Sequence, residues 1–278
     1  MKAARFDYAR ARSLAHAVEL LGSGDGFVKL LAGGQTLGPM LNLRLVQPDL
    51  LVDVSKLVET NLWSEQEGAI LIGACTTHAA IEDGKVPDPT GGMLALVASG
   101  IAYRAVRNRG TIGGSLAHAD PAADWLSALA ALGAEIVLLG PAGERRMKIA
   151  ELAKGAFATS IGDNEILRAV AVPCLPKGTR WGYYKFCRKA GDFAEAIGAV
   201  LHDPRRGMLR VVMGATNGAP IVLDIAVPGG LPETLEAAVP DMAIVERALD
   251  DHGFAADPYG KAVHLVAARR AFAEARHR

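Results

Sequence analysis

With 278 residues the chain exceeds the usual size of a single domain, and two or three packed units are expected. Half of the residues are hydrophobic, enough for a sizeable core, which excludes a disordered chain. Its 30 basic and 30 acidic residues cancel, which argues against nucleic acid or an acidic membrane as the main partner.

The first residues, Met1 to Tyr8, carry basic groups but no apolar stretch of the secretory type. Ser13 is the N-cap of a helix over 13–21 whose apolar positions recur at helical spacing, and Gly22 closes it. A strand over 27–31 leads through Ala32-Gly-Gly-Gln-Thr36 into a helix over 37–45, and a second strand covers 50–54. Residues 1–58 therefore read as a β-α-β unit with one glycine loop at its working edge. From about residue 60 the pattern changes. A strand over 69–73 and a short helix over 77–83, capped by Thr77, precede a helical segment over 93–99. The stretch 103–108 reads as either a helix or a turn, and a second glycine loop, Arg107 to Ser115, follows. The clearest helix runs from Pro121 to Leu132, with Asp124 in its first turn and Gly133 as its stop. A strand over 135–139, a turn at 141–143, a short helix over 149–155 and a strand over 165–172 complete the second unit. Pro173 to Gly178 is the best linker. Beyond it lie three strands (181–188, 194–201, 209–214) and two helices (238–250, 260–275), an α+β unit. The expected division is 1–58, 59–176 and 177–278. The apolar run 125–139, broken by Gly133 and Glu135, is too short to span a bilayer.

The chemistry rests on the two glycine loops. A strand, a turn of small residues and then a helix lets backbone N–H groups close on a phosphate. Neither loop reads as a nucleotide-triphosphate P-loop or as Gly-x-Gly-x-x-Gly. Each glycine pair alone is equally a plain tight turn. Together, with Thr36 and Thr111 beside them, they suit a long diphosphate ligand gripped from both sides. Asp120 and Asp124 serve either as helix-capping acids or, for Asp124, as an acceptor for ribose or ribityl hydroxyls. Lys29 and Lys185 are either ordinary surface lysines or counter-charges to the diphosphate. Arg104, Arg107 and Arg109 form either a solvated face or a docking edge. His78 reads as a helix residue, and His118 as the one histidine near a ligand. Cys75, Cys174 and Cys187 are too scattered for a cluster, a structural zinc or a disulfide scaffold, so a reducing cytoplasm is expected.

Ala32-Gly-Gly-Gln-Thr36, Arg107-Asn-Arg-Gly-Thr-Ile-Gly-Gly-Ser115 and Ala119-Asp-Pro-Ala-Ala-Asp124 together resemble the FAD-binding medium subunit of molybdenum hydroxylases. That family includes carbon monoxide dehydrogenase and the xanthine dehydrogenases. The likeness extends through Ile72 to His78, Glu165-Ile-Leu167 and Tyr184-Lys185…Arg188…Asp192-Phe-Ala194, over roughly residues 1 to 200. It implies an α+β protein: two N-terminal α/β subdomains of the vanillyl-alcohol-oxidase-like (PCMH-type) FAD-binding fold, plus a C-terminal α+β domain. By position, Lys29, Leu31, Ala32, Gly33, Gly34, Gln35, Thr36 and Leu37 make the first FAD loop. Ala102, Gly110, Thr111, Gly114, Ser115, His118 and Asp124 line the second. Leu167 is expected against the isoalloxazine ring, with Lys185 approaching from the C-terminal domain. Ser115 stands where the family often has asparagine, and Met213 to Gly218 departs from its usual glycine-pair turn.

The resemblance implies an electron-transfer flavoprotein with no catalytic or metal-binding residues of its own. A large subunit carries the molybdenum–pterin centre and a small subunit carries two [2Fe–2S] clusters, assembled as a dimer of heterotrimers. Phe193 is a candidate ring-covering aromatic or a core residue. Two competing classes are a free-standing flavin-dependent oxidase and a non-catalytic nucleotide-binding assembly module.

Overall fold

A computed structural model of the chain describes residues 2–23, 26–205, 207–226 and 242–277. The chain builds three principal sheets in sequence, each with its own helices. The first holds β1 (Asp7–Arg10), α1 (Leu14–Gly22), β2 (Val28–Leu31), α2 (Leu37–Asn42) and β3 (Leu50–Asp53). Its strands are parallel, in the order β1-β3-β2. Ser13 caps α1 as expected, its side chain accepting from the His16 N–H. Leu14 and Ala17 of α1 are buried against Val52, Val54 and Leu57. The helix expected over 37–45 stops at Asn42, because Arg44 takes a left-handed backbone. Strand β1 has no counterpart among the sequence expectations, since Asp-Tyr-Ala-Arg lacks an apolar alternation.

The second unit opens with α3 (Val58–Asn61), β4 (Trp63–Gln66) and β5 (Ala69–Gly73). Helices α4 (His78–Glu82), α5 (Met93–Ser99), α6 (Arg104–Arg107), α7 (Ile112–His118) and α8 (Asp124–Leu132) follow. It closes with β6 (Glu135–Gly140), β7 (Gly143–Lys148), β8 (Ala153–Gly155), β9 (Ala158–Thr159) and β10 (Ile166–Pro173). Its main sheet has the order β4-β5-β10-β6-β7, so the last strand made lies in the middle. Three expectations are corrected here. Helix α8 starts at Asp124, not Pro121, because residues 120–123 form a separate turn closed by Ala123 N–H on the Asp120 carbonyl. Gly113 and Gly114 belong to the first turn of α7 rather than to a loop. Residues 149–155 split into a 3-10 turn, Ile149–Glu151, and strand β8.

The third sheet, β11 (Arg180–Phe186), β12 (Ala196–Asp203), β13 (Met208–Gly214) and β14 (Ile221–Ala226), is an antiparallel meander. Strand β14 is one more than expected. Helices α9 (Met242–Asp251) and α10 (Pro258–Arg276) follow. The expected helix start at 238–241 lies outside the described residues. Among the described residues no helix is long and apolar enough to cross a membrane.

Alternation along this sheet decides what each face touches. Val200, Leu209, Val211 and Met213 point to α10, where Ala268, Ala271 and Ala275 offer a shallow surface. Trp181, Tyr183, Ile197, Ala199 and Val212 point the other way, into the core shared with α8. All nine residues of α8 are buried, so this helix belongs to both the second and third units. The approach of α10 depends on glycine. A Cβ on Gly182 would sit 1.9 Å from the Ala271 carbonyl oxygen, and one on Gly198 would sit 2.4 Å from that of Ala267. Gly182→Ala is therefore expected to destabilise the protein by ~1–3 kcal/mol through overpacking, read by urea unfolding. Unchanged stability would refute the close packing of α10 on β11.

Candidate functional site

The first glycine loop leaves the carboxyl end of the parallel strand β2, the edge of an open sheet where ligands commonly bind. Gly34 has φ +72°, and Gly33 lies against the second loop: a Cβ there would be 2.0 Å from the Arg109 carbonyl oxygen. The two segments therefore meet backbone to backbone. No acceptor among the described residues takes the N–H groups of Gly33, Gly34 or Gln35.

The second segment is fixed from beneath by Thr76 to His78. The His78 N–H donates to the Gly110 carbonyl at 2.9 Å, and the Ile112 N–H to the Thr76 carbonyl at 3.0 Å. Thr111 caps α7, its hydroxyl oxygen accepting from the Gly114 N–H at 3.0 Å. That leaves the Thr111 O–H as a donor. Gly110 rests on the His78 ring, since a Cβ there would be 2.9 Å from Cδ2. The Trp125 indole N–H donates to His78 Nδ1 at 3.1 Å, so the neutral ring carries its proton on Nε2. Burial, with the Arg107 charge adding to it, pushes the His78 pKa down to about 4.

Trp125 follows Asp124, the first residue of α8. Asp124 is 5% exposed and both its oxygens are engaged. Oδ1 accepts from the Tyr183 hydroxyl at 2.8 Å and Oδ2 from Lys185 Nζ at 2.9 Å. Lys185 also donates to the Gly100 carbonyl at 3.3 Å. Burial raises the Asp124 carboxyl above its usual range, and Lys185 and Tyr183 oppose that. One line of contacts thus runs from Gly33 through Gly110, His78, Trp125 and Asp124 to Lys185, from the first glycine loop across the helices of the second unit to the third sheet.

A family model described as the FAD binding domain in molybdopterin dehydrogenase matches residues 4–175. The chain belongs to that family. Subunit alpha of the 6-hydroxypseudooxynicotine dehydrogenase complex of Paenarthrobacter nicotinovorans is 36% identical over 256 residues, 92% of this chain and 83% of its own. The carbon monoxide dehydrogenase medium chain of Hydrogenophaga pseudoflava is 36% identical over 220 residues, 79% of this chain and 77% of its own. A solved structure of carbon monoxide dehydrogenase from Hydrogenophaga pseudoflava, lacking the Mo-pyranopterin moiety of its cofactor, superposes with a TM-score of 0.82 at 33% identity, covering 99% of this chain and 98% of that one.

This flavin subunit is thus an oxidoreductase component whose cofactor is FAD, and its α+β architecture is the one the resemblance implied. The loops fit a dinucleotide. Unclaimed N–H groups at Gly33 to Gln35, a free Thr111 hydroxyl and the nearby Lys29 cation suit a diphosphate. Lys29 lies over the Phe27 ring at 5.1 Å. His118, whose ring centroid is 5.0 Å from that of Phe157, lies within electrostatic reach of Lys29. Burial, with Lys29 adding to it, lowers the His118 pKa against the pull of Asp120.

Other expected residues are distributed as follows. Ala102 takes φ +42°, a turn held by Arg107, which donates to the Ile101 and Ala102 carbonyls and pairs with Glu82. Arg104 is taken up by Glu82 and Asp83, so these two arginines brace the fold. Arg109 is exposed. Ser115 is half-buried in α7, and Leu167 is 7% exposed within the main core, at a bulge of β10. Asp120 does not cap α8; its Oδ1 accepts from the Ala122 N–H. Phe193 is 66% exposed, which removes the core alternative for it. Tyr183 escaped the sequence argument, although it sits two residues before Lys185 and so on the same strand face.

The depressed His78 pKa has a consequence for stability. The unfolded chain takes up a proton between pH 6.5 and 4 that the folded chain refuses, so stability falls as pH drops through that window. The loss is about 3 kcal/mol at full depth. His78→Gln, which keeps an acceptor for Trp125, is expected to flatten this slope in urea unfolding at pH 6.5, 5 and 4. An unchanged slope would show that His78 is not the group responsible.

Proposed function

We propose that this chain is the FAD-carrying electron-transfer subunit of a three-component molybdenum hydroxylase. A large molybdopterin-binding subunit would oxidise the organic substrate, and a small subunit with two [2Fe–2S] clusters would relay electrons to the flavin here. The assembly would be a dimer of heterotrimers in the cytoplasm. The relatives, a subunit of a dehydrogenase complex and a dehydrogenase medium chain, support the multi-subunit part of this reading. The observation that carries the reading for this chain is the backbone contact between Gly33 and Arg109, which makes one cradle from two distant segments.

FAD, when bound, supplies the exchange between single-electron and two-electron chemistry. The chain's own residues bind and orient it. Amides of Gly33, Gly34 and Gln35, with Leu31, Ala32, Thr36 and Leu37 around them, would hold the diphosphate with Lys29 as counter-charge. Gly110, Thr111, Gly114, Ser115 and His118 would close the opposite side. Ala102, Leu167 and Lys185 would lie toward the ring, with Asp124 anchoring Lys185. Three domains, 1–58, 59–176 and 177–278, would each supply part of the site, a division supported by one principal sheet in each.

The test uses the purified complex. One FAD per copy of this chain is expected from its absorption spectrum. Gly33→Ala forces a methyl group into the Arg109 carbonyl and is expected to weaken FAD binding at least tenfold, about 1.4 kcal/mol. A complex containing Gly33→Ala with full FAD content and unaltered affinity would remove the cradle from the site.

A further inference from the structure

We infer that Tyr183 is a positioning residue of the flavin site, fixing the Asp124 carboxylate so that Lys185 keeps an ammonium N–H available to the flavin. This rests on the proposal that Lys185 faces that cofactor. An ammonium group has three donors. Lys185 gives one to Asp124 Oδ2 at 2.9 Å and one to the Gly100 carbonyl at 3.3 Å, which leaves a third. The Gly100 contact is long, so the carboxylate is the stronger anchor. That carboxylate has its own orientation set by Tyr183, whose hydroxyl reaches Oδ1 at 2.8 Å.

The geometry follows from the strand. Residues 183 and 185 share one face of β11, the face that meets α8, while Gly182 and Tyr184 turn toward α10. Both therefore reach the same carboxylate, one at each oxygen. Tyr183 is 8% exposed and its one O–H donor is spent on Asp124. Among the described residues the ionisable groups acting on Asp124 are Lys185 and Tyr183, both on β11, with Cys187, beyond the strand end, within electrostatic reach of Tyr183. Removing the phenol oxygen takes away the side-chain donor at Oδ1, and the carboxylate can then rotate and release the ammonium from its place. A cation near the ring favours the reduced, more negative flavin, so loss of its position lowers the reduction potential.

The experiment measures flavin midpoint potential and FAD affinity in the assembled complex for Tyr183→Phe, Lys185→Met and the double variant. Tyr183→Phe is expected to shift the relative affinity for oxidised and reduced flavin about tenfold toward the oxidised form, about 30 mV for a two-electron couple. Lys185→Met is expected to lower the potential at least as far, and the double variant to match Lys185→Met, because Tyr183 acts through the lysine. A wild-type potential in Tyr183→Phe, or a double variant in which the two shifts add, overturns the inference. A Lys185→Met complex with wild-type potential and FAD affinity instead overturns the placement of Lys185 at the flavin. Should Tyr183→Phe fail to assemble, Asp124→Asn removes the same anchor with little change of shape. It is expected to lower the potential toward the Lys185→Met value, and a wild-type potential there overturns the inference as well.

Discussion

The backbone of Gly33 lies against the Arg109 carbonyl with no room for a methyl group, and the rest of the site depends on that approach. A contact of this kind is made by main-chain atoms, so its geometry is independent of side-chain rotamers. It brings a loop from a parallel sheet beside the entry to α7 in the second unit. The Thr76 to His78 segment then prevents the second loop from drifting, through hydrogen bonds at Gly110 and Ile112. The first loop and the entry to α7 are thus held together by main-chain atoms, without any long side chain having to be ordered.

Helix α8 extends this arrangement to the third sheet. It is enclosed on every side, and its first residue is a carboxylate. A buried charge of this kind is costly unless paired and hydrogen-bonded. Both conditions are met by a strand from the C-terminal sheet, so Asp124 ties the position of that sheet to the flavin-binding units. Breaking the pair from one side leaves the other charge stranded. The interaction therefore specifies an arrangement of domains more than it adds net stability.

Much of this was legible in the sequence, for identifiable reasons. The two glycine pairs, Thr111 and the stop at Gly133 stood out because backbone geometry restricts residue choice there. The largely buried strands β5, β6 and β10 stood out as apolar runs. Strands β1, β4 and β7 did not: Asp-Tyr-Ala-Arg, Trp-Ser-Glu-Gln and Gly-Glu-Arg-Arg-Met-Lys lie at sheet edges, largely in solvent, and carry no period-two apolar pattern. Gly113-Gly114 read as a loop because glycine disfavours helices. Close contact with Ala74 decides the matter for Gly113, where a Cβ would come within 2.5 Å of the Ala74 Cβ. The Asp124–Tyr183–Lys185 contact joins residues about 60 positions apart and left no local trace.

The order of strands in the second sheet bears on how the protein is made. Until β10 arrives, β4-β5 and β6-β7 are separate hairpins, each exposing an apolar edge. The ribosome must release residues through Pro173 before that gap is filled, and the lysine on β11 comes later still. A nascent chain therefore passes through a long stage with open edges, prone to mispairing with other chains. Cofactor capture belongs to the end of synthesis rather than to its beginning.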